Sequence, residues 1–153
     1  MEHVEILAAL RDLPEQVDAA CEGLSDEQLR RRPSADEWSL LEVLCHLRDA
    51  AEIEGMRIRR LVEEDEPLLE PYDQEALARD RNYAGDDPRR VRTALRAFWG
   101  GLAYQLEHLS EEQRQLAGTH SERGRVTVAS RAELNAEHAQ EHIAQLRELM
   151  ERS

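Results

Sequence analysis

Apolar residues recur along this chain at three- and four-residue intervals over four long stretches, the spacing that lays one apolar stripe along an α-helix. The first runs from about Glu2 to Cys21, with Val4, Leu7, Ala8, Leu10 and Val17 on its inward side, Pro14 as a kink or interruption, and Gly23 beyond its end. The second is announced by a capping box, Ser39 with Glu42 three positions on, and extends from Leu40 to about Glu64 along Leu40, Val43, Leu44, Leu47, Ala51, Ile58, Leu61 and Val62. The third opens at Asp87-Pro88, an N-cap followed by a proline, and reaches about His108 with Val91, Leu95, Phe98, Leu102 and Leu106 inward. The fourth runs from about Thr127 to Glu151.

The connections are longer than hairpin loops. Ser25 to Gln28 and Ser110 to Glu112 read as short capped turns, Glu66 to Pro71 as a loop, Tyr72 to Tyr83 as a short polar helix, and Gly118 to Val126 as a polar loop. The expected fold is all-α, a four-helix bundle with long connections, and a length of 153 residues suits a single domain spanning 1–153. An apolar fraction of 41% with 35% charged residues, seven glycines and five prolines agrees with that class.

Charge narrows the partners. Thirty-three acidic residues against 20 basic ones leave a net charge of -13, which would repel a phosphate backbone, and the short basic run Arg30-Arg31-Arg32 lies between acidic residues. Nucleic acid is not expected as a partner. Every basic residue is arginine, so chemistry that needs a lysine, such as a phosphate-loop lysine or a Schiff base, is excluded. Nucleophile-elbow, phosphate-loop and dinucleotide-binding glycine motifs are missing as well. Cys21 and Cys45 are far apart in apolar helical contexts and read as structural free thiols. The chain opens with acidic Met1-Glu2-His3-Val4-Glu5 and has no apolar run near membrane-spanning length, so the sequence expectation is a cytoplasmic protein with no membrane partner.

The sharpest chemical signal is His138 and His142 in the fourth helix. Four residues apart, their side chains project from one helical face on adjacent turns, and both fall on the half of the wheel that carries Val128, Leu134, Ile143, Leu146, Leu149 and Met150. Neighbouring histidines turned toward a core need partners for their ring nitrogens. A shared metal ion would serve both, and so would hydrogen bonds to backbone or to Asn135. The di-iron carboxylate pattern is disfavoured, because Asn135 and Ala139 stand where Glu-x-x-His would place glutamates. His46, on the flank of the second helix beside Ala50, Ile53 and Arg57, is the leading third ligand, with His3, His108 and His120 as alternatives. Three imidazoles leave coordination positions open, which is the arrangement of a reactive metal. Asp49, one turn beyond His46, is placed to orient a metal ligand or accept a proton, the alternative being an ordinary surface carboxylate paired with arginine. Arg57 and Arg96 could take a substrate carboxylate but more readily form ion pairs. Trp38 reads as a staple or core plug ahead of the cap, and a cofactor platform is the lesser alternative.

The run Trp38 to Asp49, the segment with Gly118, His120 and Gly124 leading into Val126-Thr127-Val128, and the closing His138-x-x-x-His142-x-x-Gln145-Leu146 resemble the DinB-like superfamily of bacterial proteins, of the DinB and YfiT type. The resemblance covers nearly the whole chain. It implies a four-helix bundle, usually a homodimer, with a divalent metal on the matching His46, His138 and His142. It also implies a metal-dependent enzyme acting on a small-molecule substrate, foremost a transferase using a low-molecular-weight thiol such as bacillithiol. A metal-dependent hydrolase and a non-catalytic, stress-related dimeric bundle with a structural or vestigial metal are the alternatives. Imidazole ligands suit zinc or nickel first, with iron or manganese also compatible.

Overall fold

Each of the four long stretches is a helix in the computed structural model, which describes residues 1–152. They are α1 (His3–Cys21), α3 (Leu40–Glu63), α5 (Pro88–Glu107) and α7 (Val128–Glu151). Short helices α2 (Asp26–Arg30), α4 (Gln74–Asp80) and α6 (Glu111–Arg114) lie in the connections, with a 3-10 turn at Tyr83–Gly85. The start signals act as their chemistry requires. Ser39 accepts from the Glu42 amide while the Glu42 side chain accepts from the Ser39 amide, and Ser25/Gln28, Ser110/Gln113 and Thr127/Ser130 form the same reciprocal pair.

The helices close around one apolar core, in which α3 packs chiefly on α5 and α1 packs on both α7 and α5. Contact between α3 and α7 is lighter, and a cleft opens there. The stripe on α1 is rotated from the expected one: Ile6, Leu7, Leu10, Leu13 and Val17 are buried, while Val4 and Ala8 are exposed. Pro14 is buried inside an unbroken helix. On α5, Trp99 is buried and Phe98 is only partly so, because the indole N–H finds the Leu47 carbonyl of α3 at 2.9 Å.

Two connections expected as loops pair instead. Leu68–Leu69 (β1) lies parallel to Ala117–His120 (β2), which is antiparallel to Gly124–Thr127 (β3). Alternation is too short in these polar runs to mark a strand, but a close approach reveals the pairing. A side chain at Gly118 would meet the Pro67 carbonyl oxygen at 2.5 Å, so only glycine lets β2 lie against that segment. Gly124 opens β3 in the left-handed region, with φ of +78°. This small sheet sets His120 opposite Leu69 and Gly124, at the rim of the cleft.

Candidate functional site

The cleft between α3 and α7 encloses about 840 Å³ and is walled by residues from both helices, Trp38 and the β2–β3 turn. His46 projects into it from α3, and the residue is only 8% exposed. Its ring centroid lies 5.3 Å from that of His142 on α7, with the rings inclined at 65°. Trp38 also packs against His46, centroids 5.6 Å apart, and against Tyr83 at 6.2 Å. The indole is partly buried against the core, as expected, and also forms cleft wall.

His138 and His142 occupy the edge of the α7 stripe rather than its centre. His138 is exposed and His142 half-buried, while Val128, Ala132, Ala136, Ala139, Ile143 and Leu146 take the core. The expectation of two core-facing histidines is corrected by the alanines: small side chains let α1 approach α7 closely, and the buried face is centred on them instead of on Leu134 and Met150. The result still places all three imidazoles on one cavity.

Burial pushes the His46 imidazole down to about 4, reinforced by the proximity of His142 and His138 and opposed by Asp49. Burial also lowers His142, against a raising hydrogen bond with Gln145. These rings are therefore neutral near pH 7. The His142 Nδ1 lies 3.1 Å from the Gln145 Oε1, an acceptor, so Nδ1–H donates and Nε2 keeps its lone pair. Among the described residues, the rings of His46 and His138 make no hydrogen bond. Neutral imidazoles with free lone pairs are the donor chemistry that a divalent ion takes. Among the described residues, however, no three His, Cys, Asp or Glu side chains are already gathered closely enough to hold a metal ion.

Of the alternatives, His3 and His108 lie away from the cleft, the latter stacked on Tyr104 at 4.1 Å. His120 is buried in it, with Nδ1 accepting from the backbone amides of Glu122 and Arg123 at 3.1 and 3.3 Å. Asp49 is buried and makes no hydrogen bond to an imidazole; it receives the Tyr83 hydroxyl, Arg48 at 3.0 Å and Arg81 at 2.9 Å. Its charge still reaches His46 through space. Arg96 is spent on Glu15 and Asp18 at the surface. Both cysteines are buried and free, and burial pushes Cys45 up to about 12, which removes thiolate chemistry there.

Two turns along from His46, Glu54 anchors a polar cluster that periodicity did not reveal. Its carboxylate takes Arg57 at 2.5 Å, Arg131 through Nε at 3.2 Å and also through Nη2, and Asn135 at 3.0 Å. All four are buried and all line the cleft. The only sequence signal was the i, i+3 placing of Glu54 and Arg57, which is common on arginine-rich helices.

A family model described as the DinB superfamily matches residues 9–146. The chain belongs to the DinB superfamily. It is 25% identical over 150 residues to an Oceanobacillus iheyensis protein whose name proposes a metal-dependent hydrolase, covering 97% of this chain and 86% of that one. A Geobacillus kaustophilus protein named in the same way is 29% identical over 152 residues, covering 97% and 84%. The solved structure of YfiT from Bacillus subtilis, described as a proposed metal-dependent hydrolase with an unusual four-helix bundle topology, superimposes with a TM-score of 0.88 at 24% identity, covering 99% of this chain and 87% of that one. The shared fold is thus a DinB-superfamily four-helix bundle.

Proposed function

We propose that this DinB-superfamily protein is a metal-dependent enzyme whose small-molecule substrate enters the cleft between α3 and α7, with His46, His138 and His142 holding a divalent ion. The observation that carries the reading is the apposition of neutral His46 and His142 across the cleft, 5.3 Å between centroids, with His138 one turn from His142 on the same wall. The names of the relatives support metal dependence. When bound, such an ion supplies Lewis acidity that holds a thiol or a water as a nucleophile at neutral pH. The chain's own residues orient and desolvate: Gln145 fixes the His142 tautomer, and Trp38 packs against His46. Zinc or nickel is the leading ion, and iron or manganese also accept this ligand set.

The finer reading is a transferase that uses a low-molecular-weight thiol such as bacillithiol. The buried carboxylates near the imidazoles favour it, because Asp49 and Glu54 are both engaged by arginines and neither is free to take a proton from water. A thiol bound as thiolate needs no such base in the attacking step. Hydrolysis is the second reading, favoured by the names of the relatives. Protein loaded with zinc or nickel is offered 1-chloro-2,4-dinitrobenzene with bacillithiol, and separately an aryl ester without thiol. Thiol-dependent conversion lost in His46→Ala supports the transferase; thiol-independent ester cleavage lost in the same variant supports the hydrolase; neither reaction would leave a non-catalytic bundle.

The homodimer is carried by the resemblance alone and is tested by sedimentation of the full chain. Among the described residues, no helix is long and apolar enough to cross a membrane.

A further inference from the structure

The buried cluster at the other end of the cleft is charge-imbalanced. Arg57 and Arg131 share one carboxylate, that of Glu54, leaving one uncompensated positive charge among residues at most 8% exposed. Uncompensated charge in such a place is expensive unless something neutralises it. The other acids that line the cleft near this end, Glu75 and Glu122, are exposed and solvated, and Asp49 is held by Arg48 and Arg81.

Two donors there have no protein partner and are open to the cleft. Arg131 spends Nε and Nη2 on Glu54, and among the described residues its Nη1 makes no hydrogen bond. His120 is buried with its Nδ1 accepting two backbone amides of the β2–β3 turn, which requires the proton on Nε2. Among the described residues that Nε2–H donates to nothing, and the ring faces the same cleft as Arg57 and Arg131, whose charges act directly on it.

We propose that His120, Arg131 and Arg57 form a carboxylate subsite for the substrate, at the far end of the cleft from the three histidines. A carboxylate brings two acceptor oxygens for the two idle donors, and its charge balances the cluster. The neutral imidazole acts as a fixed donor, since the turn amides dictate its tautomer. A net charge of -13 on the whole chain makes adventitious anion binding elsewhere on the surface unfavourable, which gives the buried cationic pocket its selectivity. The geometry also sets a length. Arg131 and His138 lie on the same edge of α7, and the rise from one to the other, seven residues along, is about 10 Å of helix. The substrate class that fits is an elongated small molecule with a carboxylate about 10 Å from its reacting atom.

This inference deepens the proposed function but is tested without it. Metal-free protein is titrated with succinate while the ring-nitrogen resonances of His120 are followed by long-range 1H–15N NMR. In the free protein these resonances should show an acceptor-type Nδ1 and a protonated Nε2. Saturable binding should shift Nε2. His120→Asn keeps an acceptor at the Nδ1 position for the turn amides and loses the donor, so affinity should fall about tenfold. Glu54→Gln removes the cluster's only carboxylate and should tighten binding, whereas a purely structural cluster would only lose stability. Absence of saturable binding to the wild type, or equal affinity in folded His120→Asn, overturns the subsite. Metal content measured on the same His120→Asn protein should match wild type. Failure of the metal reading would appear as histidine-independent metal content and would leave the succinate result standing.

Discussion

Glu54 of α3 and Arg131 of α7 are joined by a two-point ion pair, with Nε to Oε2 at 3.2 Å, inside the cleft that their helices form. The pair ties together the helices that carry His46 on one side and His138 and His142 on the other. Helix contact is otherwise light along this seam, so the ion pair sets how far apart the cleft walls stand.

Removing one partner from a buried, hydrogen-bonded pair strands the other. Glu54→Ala leaves two buried guanidiniums without a counter-charge, and the expected loss is about 3–5 kcal/mol of unfolding free energy. Glu54→Gln, which keeps the shape and part of the hydrogen bonding, should lose less. Urea unfolding followed by circular dichroism reads both, and a loss below about 1 kcal/mol for Glu54→Ala would remove the cluster's structural role.

The acid limb of stability follows from the same carboxylate. Burial alone would raise Glu54, but Arg131, Asn135 and Arg57 outweigh it and hold the group below its ordinary value of 4.5. Glu42 is likewise held down, burial being outweighed by Arg32 and the Ser39 cap. A group depressed on folding contributes its stability above the unfolded value and loses it as pH falls through the folded one. The urea midpoint should therefore be level from neutral pH to about 5 and fall steadily below about 4. The double variant Glu42→Gln, Glu54→Gln should start less stable and fall less. An equally steep fall in that variant would assign the acid limb to other groups.

Trp99 offers a test of packing. Its ring is buried between α5 and α3, and its N–H is satisfied by the Leu47 carbonyl. Trp99→Phe removes that bond and leaves a void, for an expected cost of about 2–4 kcal/mol. Phe98→Ala, at the partly buried neighbour, should cost less. The reverse order by thermal unfolding would restore Phe98 as the inward residue.

The adjacent Phe98 and Trp99 also show why the sequence was legible where it was. Helix starts are local chemistry, so Ser39/Glu42 and Asp87-Pro88 mark α3 and α5 to within a residue. Which neighbour turns inward depends on a partner from another helix, here the Leu47 carbonyl, and no local rule supplies it. The three histidines were found from spacing and resemblance, yet their burial was misjudged because alanines rather than large aliphatics define the buried face of α7. The small sheet and the Glu54 cluster were missed for a shared reason. Both are assembled from segments far apart in the chain, β1 with β2 and Glu54 with Arg131, by contacts that leave no periodic trace.

The central claim is a metal on three imidazoles, and its most direct measurement is elemental analysis of untagged protein. Wild type should retain about one divalent ion per chain after dialysis. His46→Ala, His138→Ala and His142→Ala should each lose most of it while remaining folded. Retention of a full ion by His46→Ala or His138→Ala, or no retained metal in wild type under metal-replete expression, would contradict the three-histidine centre.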